Sequence, residues 1–391
     1  MEKLWNKNYI LLVIGSILMA MPVSTMNTAI PLIAAGQGMN GATIGLLTAV
    51  YTLGIVLTRP FFGAFIDRRG RRGMLLFGMA LFLLALVPLR WLWMPAALLG
   101  LRLLQGVGYS AYTNCTGTLV TDVTHPRRLV EGVGFFTVLC NIAFLSLGPA
   151  LAVVLSSGGS FGPVFLVGGL LGVGAIAVFL PMDNHRHFQP RPSTGKLTVH
   201  DVIEGSVVKL CLANTCIALT TGLLNTFLPV WAMSQGIGNL WVYFAVYVGG
   251  MLLSRPVVQP LLRRLGTMGV IVSSIGLLVV GLALVGLSHT LPMLLLAGFL
   301  NGFGFGVNNP VVNSLTYRLC PEDRRGVATA TLYGTFDAGT GIGALIGGAV
   351  SQFVGYGGMF LVFTTALAAS AALFLVWVKP QMARQGVPDR E

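Results

Sequence analysis

Of the 12 acidic side chains in this 391-residue chain, Asp337 stands apart. Asp67, Asp183, Asp201, Glu204, Glu322 and Asp323 lie at basic loops or at the ends of apolar runs. Asp122 and Glu131 flank one short polar loop, and Glu2, Asp389 and Glu391 are terminal. Asp337 lies 12 residues beyond Arg325, about 18 Å along a helix, in an apolar run among Gly334, Gly339, Gly341 and Gly343. A carboxyl in such surroundings is costly to keep charged. It could exchange a proton, pair with a cationic group of a ligand, or stay neutral and bond a neighbouring helix. Arg102 is the deepest cation. Its guanidinium could anchor a carboxylate, bias a nearby acid, or donate to helix carbonyls. Further polar groups interrupt the apolar runs: Asn27, Thr28, Gln105, Tyr109, Asn114, Asn225, Asn301, Asn309 and Asn313. Asn309, Asn313 and Tyr317 recur every four residues and share a helix face. Each such group either contacts a ligand in a cavity or ties two helices together.

The elements that position these residues are spans of a membrane. The chain is 55% hydrophobic and only 9% charged, against about 25% charged in soluble domains. A spanning helix needs about 20 mostly apolar residues. Such runs fall at 9–33, 43–65, 73–89, 95–121, 129–156 and 161–181, then at 205–233, 238–262, 267–287, 291–317, 326–352 and 358–378. The run from Tyr9 to Ile33 is too long for the apolar core of a cleavable signal and reads as the first span. The pattern predicts an all-α membrane protein with twelve transmembrane helices in two pseudo-symmetric six-helix bundles. Residues 1–182 form the first bundle, 183–201 a cytoplasmic linker and 202–391 the second.

With the N-terminus inside, the cytoplasmic connections hold Arg68, Arg69, Arg71, Arg72, Arg127, Arg128, Arg186, Arg191, Lys196, Arg263, Arg264, Arg324 and Arg325. The outer ones hold only Arg90. That asymmetry puts both termini in the cytoplasm. It also accounts for the net charge of +12 without a nucleic acid.

The two halves are copies. At an offset of 196 residues Tyr51, Gly54, Arg59 and Pro60 fall on Tyr247, Gly250, Arg255 and Pro256. Arg68, Gly70 and Gly73 fall on Arg264, Gly266 and Gly269, and Gly106 and Gly108 on Gly302 and Gly304. At an offset of 198, Asn27, Thr28 and Pro31 fall on Asn225, Thr226 and Pro229. At the 196-residue offset Asp337 falls on Asn141, so both halves place a polar group at one point and only one of them can ionise. Duplicated halves suggest alternating access, with the ligand near mid-membrane.

Between the second and third runs stands Gly63-Ala-Phe-Ile-Asp67-Arg68-Arg69-Gly70-Arg71-Arg72. Gly63 permits close helix contact, Gly70 a tight turn, and Asp67 sets a carboxylate among cations. The segment resembles the signature loop of the major facilitator superfamily. The fourth run carries Arg102-Leu-Leu-Gln105-Gly106-Val-Gly108, similar to a second motif of that superfamily. The fifth carries Gly148-Pro149, the core of a motif of its antiporter branch. The glycines flanking that motif are replaced by Phe144, Ala152 and Val153. The resemblance covers essentially the whole chain. Shorter stretches, from Arg102 to Val133 and at Asp337-Ala-Gly339, resemble the staphylopine-type exporters of opine metallophores.

The resemblance implies a conformational latch built from Gly63, Asp67, Arg68, Gly70 and Arg71, with Asp67 tying the halves together in the outward-facing state. The second-half copy departs from the pattern at Gln259, Arg263, Thr267 and Met268, so it is expected to have lost the latch. The family also implies a role for Arg102 in proton coupling and a cavity lined by spans 1, 4, 7 and 10. The expected function is export of a small amphipathic or zwitterionic molecule by proton antiport, with Asp337, Arg102 and Asn141 as the coupling and substrate residues. Efflux of lipophilic cations and proton-coupled nutrient uptake are the alternatives.

No Walker loop is present to bind ATP. An intramembrane enzyme would need clustered catalytic groups, which the spans lack, and a lipid flippase remains open on composition alone. Cys115, Cys140, Cys211, Cys216 and Cys320 have no metal or disulfide spacing and are expected to be small apolar packing groups. His185 and His187 are a weak metal pattern. The expected partners are a small-molecule substrate, protons and the lipid bilayer of the cytoplasmic membrane. A monomer without cofactor or metal is expected.

Overall fold

The computed structural model describes residues 4–69, 71–91, 94–125, 128–156, 161–182, 203–321 and 324–389. The linker 183–201, with His185 and His187, lies outside them. Described residues are helical almost throughout, as expected where no water can satisfy a bare backbone. The helices are α1 Lys7–Gly36, α2 Gly41–Arg69, α3 Arg71–Leu86, α4 Pro95–Val123 and α5 Leu129–Ile142. A π-turn, Ala143–Leu147, leads into α6 Gly148–Ser156, and α7 is Gly162–Phe179. Then come α8 Val208–Ser234, α9 Trp241–Leu287, α10 Leu291–Leu319 and α11 Arg325–Leu373. A second π-turn, Phe374–Val378, leads into α12 Lys379–Arg384.

Among the described residues nine helical segments are long and apolar enough to cross a membrane. Two expected connections are reduced to one residue each. The runs 238–262 and 267–287 are joined in α9 across Gly266, at φ 73° and ψ 173°. The runs 326–352 and 358–378 are joined across Gly355, at φ 70° and ψ 173°. Positive φ with extended ψ is accessible to glycine at no steric cost, so one residue suffices to kink the chain.

The chain divides into two compact units. The first is Met1–Ile33 with Val50–Gly195, and the second is Ala34–Ala49 with Lys196–Glu391. The start of α2 therefore groups with the second unit. In the first unit α3 packs along α4. In the second, α9 packs along α10 and α8 along α11.

The repeat is visible in the packing. A Cβ on Gly106 would collide with the Tyr51 carbonyl, and one on Gly302 with the Tyr247 carbonyl. Both pairs obey the 196-residue offset. Glycine at each lets two helix backbones touch, where dispersion and weak C–H contacts replace the missing hydrophobic drive between helices in lipid.

Candidate functional site

The first unit holds a polar cluster around Arg102. Its side chain is 1% exposed, among the most buried in the protein. One guanidinium nitrogen donates to Gln105 Oε1 at 3.1 Å, another to Asn27 Oδ1 at 3.1 Å. The guanidinium carbon lies 4.4 Å from the centre of the Tyr51 ring, a cation–π contact. Position 105 follows 102 by one turn of α4, which is why the Gln side chain reaches back to it. Asn27 comes from α1 and Tyr51 from α2, so three helices converge on one cation.

Aromatic rings extend from this point. Tyr51 and Tyr109 lie 6.0 Å apart, Tyr109 and Tyr112 6.2 Å, and Tyr109 and Phe144 6.2 Å with their planes at 26°. Tyr51 and Tyr112 are buried, while Tyr109 and Phe144 are half-buried. Asn27 and Asn141 are half-buried as well, whereas Thr28 is buried. Asn114 donates to the Arg59 carbonyl at 3.2 Å, a tie from α4 to α2. The structure thus brings Arg102, Gln105, Asn27 and Tyr109 together.

The second unit carries the repeat of this cluster without its cation. At the 196-residue offset Arg102 becomes Gly298, and the Tyr243 ring packs where a Cβ would stand. Asn301, the counterpart of Gln105, is 1% exposed and packs against Gly281. Asn313 donates to the Asn309 carbonyl at 2.8 Å and to its side-chain oxygen at 3.2 Å. Asn225, Asn309, Asn313 and Asp337 are half-buried. Asp337 sits in the part of α11 that precedes the Gly355 kink, one helical turn ahead of Gly341.

At the polar end of the second unit, Glu204 precedes α8 and is buried. It accepts from Ser206 N–H at 3.1 Å and Ser206 Oγ at 2.9 Å, and pairs with Arg324 at the start of α11. The Arg324 hydrogen bond comes first among the contacts that hold this carboxyl below the usual glutamate range. Of the expected latch, Arg71 pairs with Asp122 and donates to the Thr118 carbonyl at 3.2 Å. Gly63, Asp67 and Arg68 fall on the last turns of α2. Their side chains, and Gly70, lie outside the described residues. Cys115, Cys211 and Cys320 are buried, Cys140 and Cys216 half-buried, and none of the five forms a disulfide.

A helical protein of this kind, with polar clusters inside apolar helices, is a multi-pass membrane protein. The sequence profile of the Major Facilitator Superfamily matches residues 12–271 and 210–391, and the chain belongs to that superfamily of transporters. It is 25% identical over 380 residues to the multi-drug resistance efflux pump PmrA homolog of Lactococcus lactis subsp. lactis (strain IL1403), covering 90% of each. It is 24% identical over 374 residues to the MFS-type transporter YhhS of Escherichia coli (strain K12), covering 90% of this chain and 87% of that one. The fold is shared with the nucleoside transporter NupG, as its D323A mutant, at TM-score 0.79 and 14% identity over 95% of this chain and 99% of that one. It is also shared with the human organic anion transporter MFSD10, at TM-score 0.68 and 18% identity over 94% and 98%.

Ser24 and Thr25 of α1 carry no sequence signal of their own; their hydroxyls donate to the Phe144 and Gly148 carbonyls, next to Pro149, whose missing backbone donor is the one sequence cue there.

Proposed function

We propose that the protein exports a small amphipathic or zwitterionic molecule across the cytoplasmic membrane, by alternating access and proton antiport. In this reading all twelve runs cross the membrane, in bundles 1–182 and 202–391, with the 183–201 linker and both termini inside. The observation that carries it is the Arg102 cluster, a guanidinium held by Asn27, Gln105 and Tyr51. A fixed cation beside half-open aromatic rings suits the carboxylate and flat apolar part of such a molecule. Asp337, with Asn141 at the matching point of the other half, takes the proton and pairs with a cationic group. Asp67 and its neighbours act as the latch. The similarity to a Lactococcus lactis protein named as a multi-drug resistance efflux pump homolog supports efflux.

The test uses purified protein in proteoliposomes with an imposed pH gradient, and the zwitterionic fluoroquinolone norfloxacin as fluorescent probe. Uptake should follow the gradient in wild type, and Asp337→Asn should leave only gradient-independent exchange. Full gradient dependence in Asp337→Asn would sink the coupling assignment. An opine-type metallophore and ethidium, run in parallel, separate the narrower metallophore reading from multidrug efflux of lipophilic cations.

A further inference from the structure

At the end of the π-turn between α5 and α6, Gly148 N–H donates to the Ala143 carbonyl, five residues back. The next residue is Pro149, which has no N–H. The Phe144 carbonyl is therefore orphaned twice. Its α-helical donor, Gly148, is committed one residue earlier, and its π-helical donor does not exist. A buried carbonyl needs a partner. The partner comes from another helix: Ser24 Oγ on α1 donates to the Phe144 carbonyl. One residue on, Thr25 Oγ1 donates to the Gly148 carbonyl at 3.0 Å. The approach demands glycine, since a Cβ on Gly148 would lie 2.6 Å from Ser24 Cβ.

The second half is an internal control. Phe144 and Pro149 correspond there to Thr340 and Leu345, and Ser24 corresponds to Gly222. Leu345 has an N–H, and α11 runs through this stretch as a regular helix. The hydroxyl is gone, and Gly222 packs directly on the Thr340 carbonyl. Serine accompanies the proline, and glycine accompanies its absence.

What the bond positions is Phe144. Its ring stacks on Tyr109, which leads to Tyr51 and then to Arg102. The row runs from a buried cation to two half-buried rings. We propose that Ser24 is a positioning residue for ligand recognition. By serving the carbonyl that Pro149 orphans, it holds the π-turn and sets the Phe144 ring as the open end of an aromatic row that receives the flat aromatic part of the ligand, with Arg102 facing its anionic group. This rests on the substrate reading above.

The test is a double-mutant cycle of Ser24→Ala and Pro149→Ala in the full chain. One readout is the fluorine resonance of 4-fluorophenylalanine placed at position 144. The other is norfloxacin transport, resolved into KM and Vmax. Ser24→Ala alone should move or broaden the resonance and raise KM severalfold with Vmax unchanged. In the Pro149→Ala background, where the restored N–H serves the carbonyl, Ser24→Ala should change neither. Ser24→Gly, which copies the second half, should likewise be tolerated only with Pro149→Ala, and it replaces Ser24→Ala if that variant fails to fold. An unmoved resonance, an equal effect in both backgrounds, or a moved resonance with unchanged KM each overturns the proposal. If wild type does not carry norfloxacin, the substrate reading fails. The resonance cycle then still decides whether Ser24 positions Phe144.

Discussion

The Asp389 carboxylate accepts a hydrogen bond of 2.8 Å from the Met268 backbone N–H. The Asp389 carbonyl accepts from Thr267 N–H at 2.7 Å and Thr267 Oγ1 at 3.0 Å. Arg318 donates to the Pro388 carbonyl and, at 3.4 Å, to Thr267 Oγ1. In the first half the corresponding positions are Arg71 and Asp122, which pair directly. In the second half the charges are rearranged: Thr267 replaces the arginine, Arg318 replaces the acid, and the C-terminal tail brings a new acid to the helix N-terminus after Gly266. The degenerate copy of the signature loop is thus occupied by the chain's own tail.

Asp389 acts as a remote N-cap, because it satisfies amides that a helix start leaves without partners. Asp389→Ala should cost about 0.5–2 kcal/mol, the usual range for a lost cap. Deleting residues 387–391 should cost more, since Arg318 also loses the Pro388 carbonyl. Thermal unfolding of purified protein in detergent reads both, and midpoints equal to wild type would show that the tail contributes nothing.

Glu204 links the start of α8 to the start of α11 through Arg324. Its carboxyl is held below the usual glutamate range in the folded protein. Its contribution to stability is therefore full above the unfolded value of about 4.3 and is lost as pH falls through the lower folded value. Glu204→Gln should lower the unfolding midpoint at pH 7, and the gap to wild type should narrow on acidification below about pH 4. A gap independent of pH would argue against the ion pair as its source.

Arg102 reaches two side-chain oxygens with two separate nitrogens. A lysine has one compact head and cannot hold both in that geometry. Arg102→Lys should keep the charge and the fold but release either Asn27 or Gln105. Norfloxacin transport should fall by an order of magnitude or more, roughly the worth of one hydrogen bond to a charged group. Transport at the wild-type rate would show that the charge alone suffices.

Gly249 and Gly250 are neighbours in α9 with opposite surroundings. A Cβ at Gly249 meets nothing within 4 Å, while one at Gly250 would stand 2.6 Å from the Phe299 carbonyl and 3.0 Å from the Phe303 nitrogen. Gly250→Ala should destabilise by about 1–3 kcal/mol, as overpacking does. Gly249→Ala should be neutral or slightly stabilising, since alanine is the better helix former. Unfolding midpoints of the two variants side by side decide this.

Helices and their repeat were legible because they depend on local quantities. A run of apolar residues in lipid must be helical, and matching Tyr, Gly, Arg and Pro positions reveal duplication without coordinates. The offset alone matches Gly54 with Gly250 and Gly106 with Gly302, and the structure gives each matched pair equivalent backbone neighbours: the Leu103 and Phe299 carbonyls for the first, the Tyr51 and Tyr247 carbonyls for the second. Arg102 and Asn27 were both visible as polar groups in apolar runs. Their hydrogen bond was not, because it joins residues 75 positions apart on different helices. Thr28 shows the same limit from the other side: one position from half-buried Asn27, it turns into the packing, and helix rotation is not written in composition.

The amino-acid sequence by itself determined the class of protein, the duplication, the loss of the signature loop in the second half and the isolation of Asp337 among the acids. These follow from hydropathy, charge placement and residue spacing, which act along the chain. The tertiary structure alone decided which donors serve which acceptors. Pro149 announces a missing N–H, but only the packing of α1 against the π-turn makes Ser24 the group that answers it. Asp389 is an ordinary terminal acid until the fold carries it to the amides of Thr267 and Met268. Hydrogen bonds of this kind are short-ranged and directional, so they belong to the arrangement of helices rather than to any one of them.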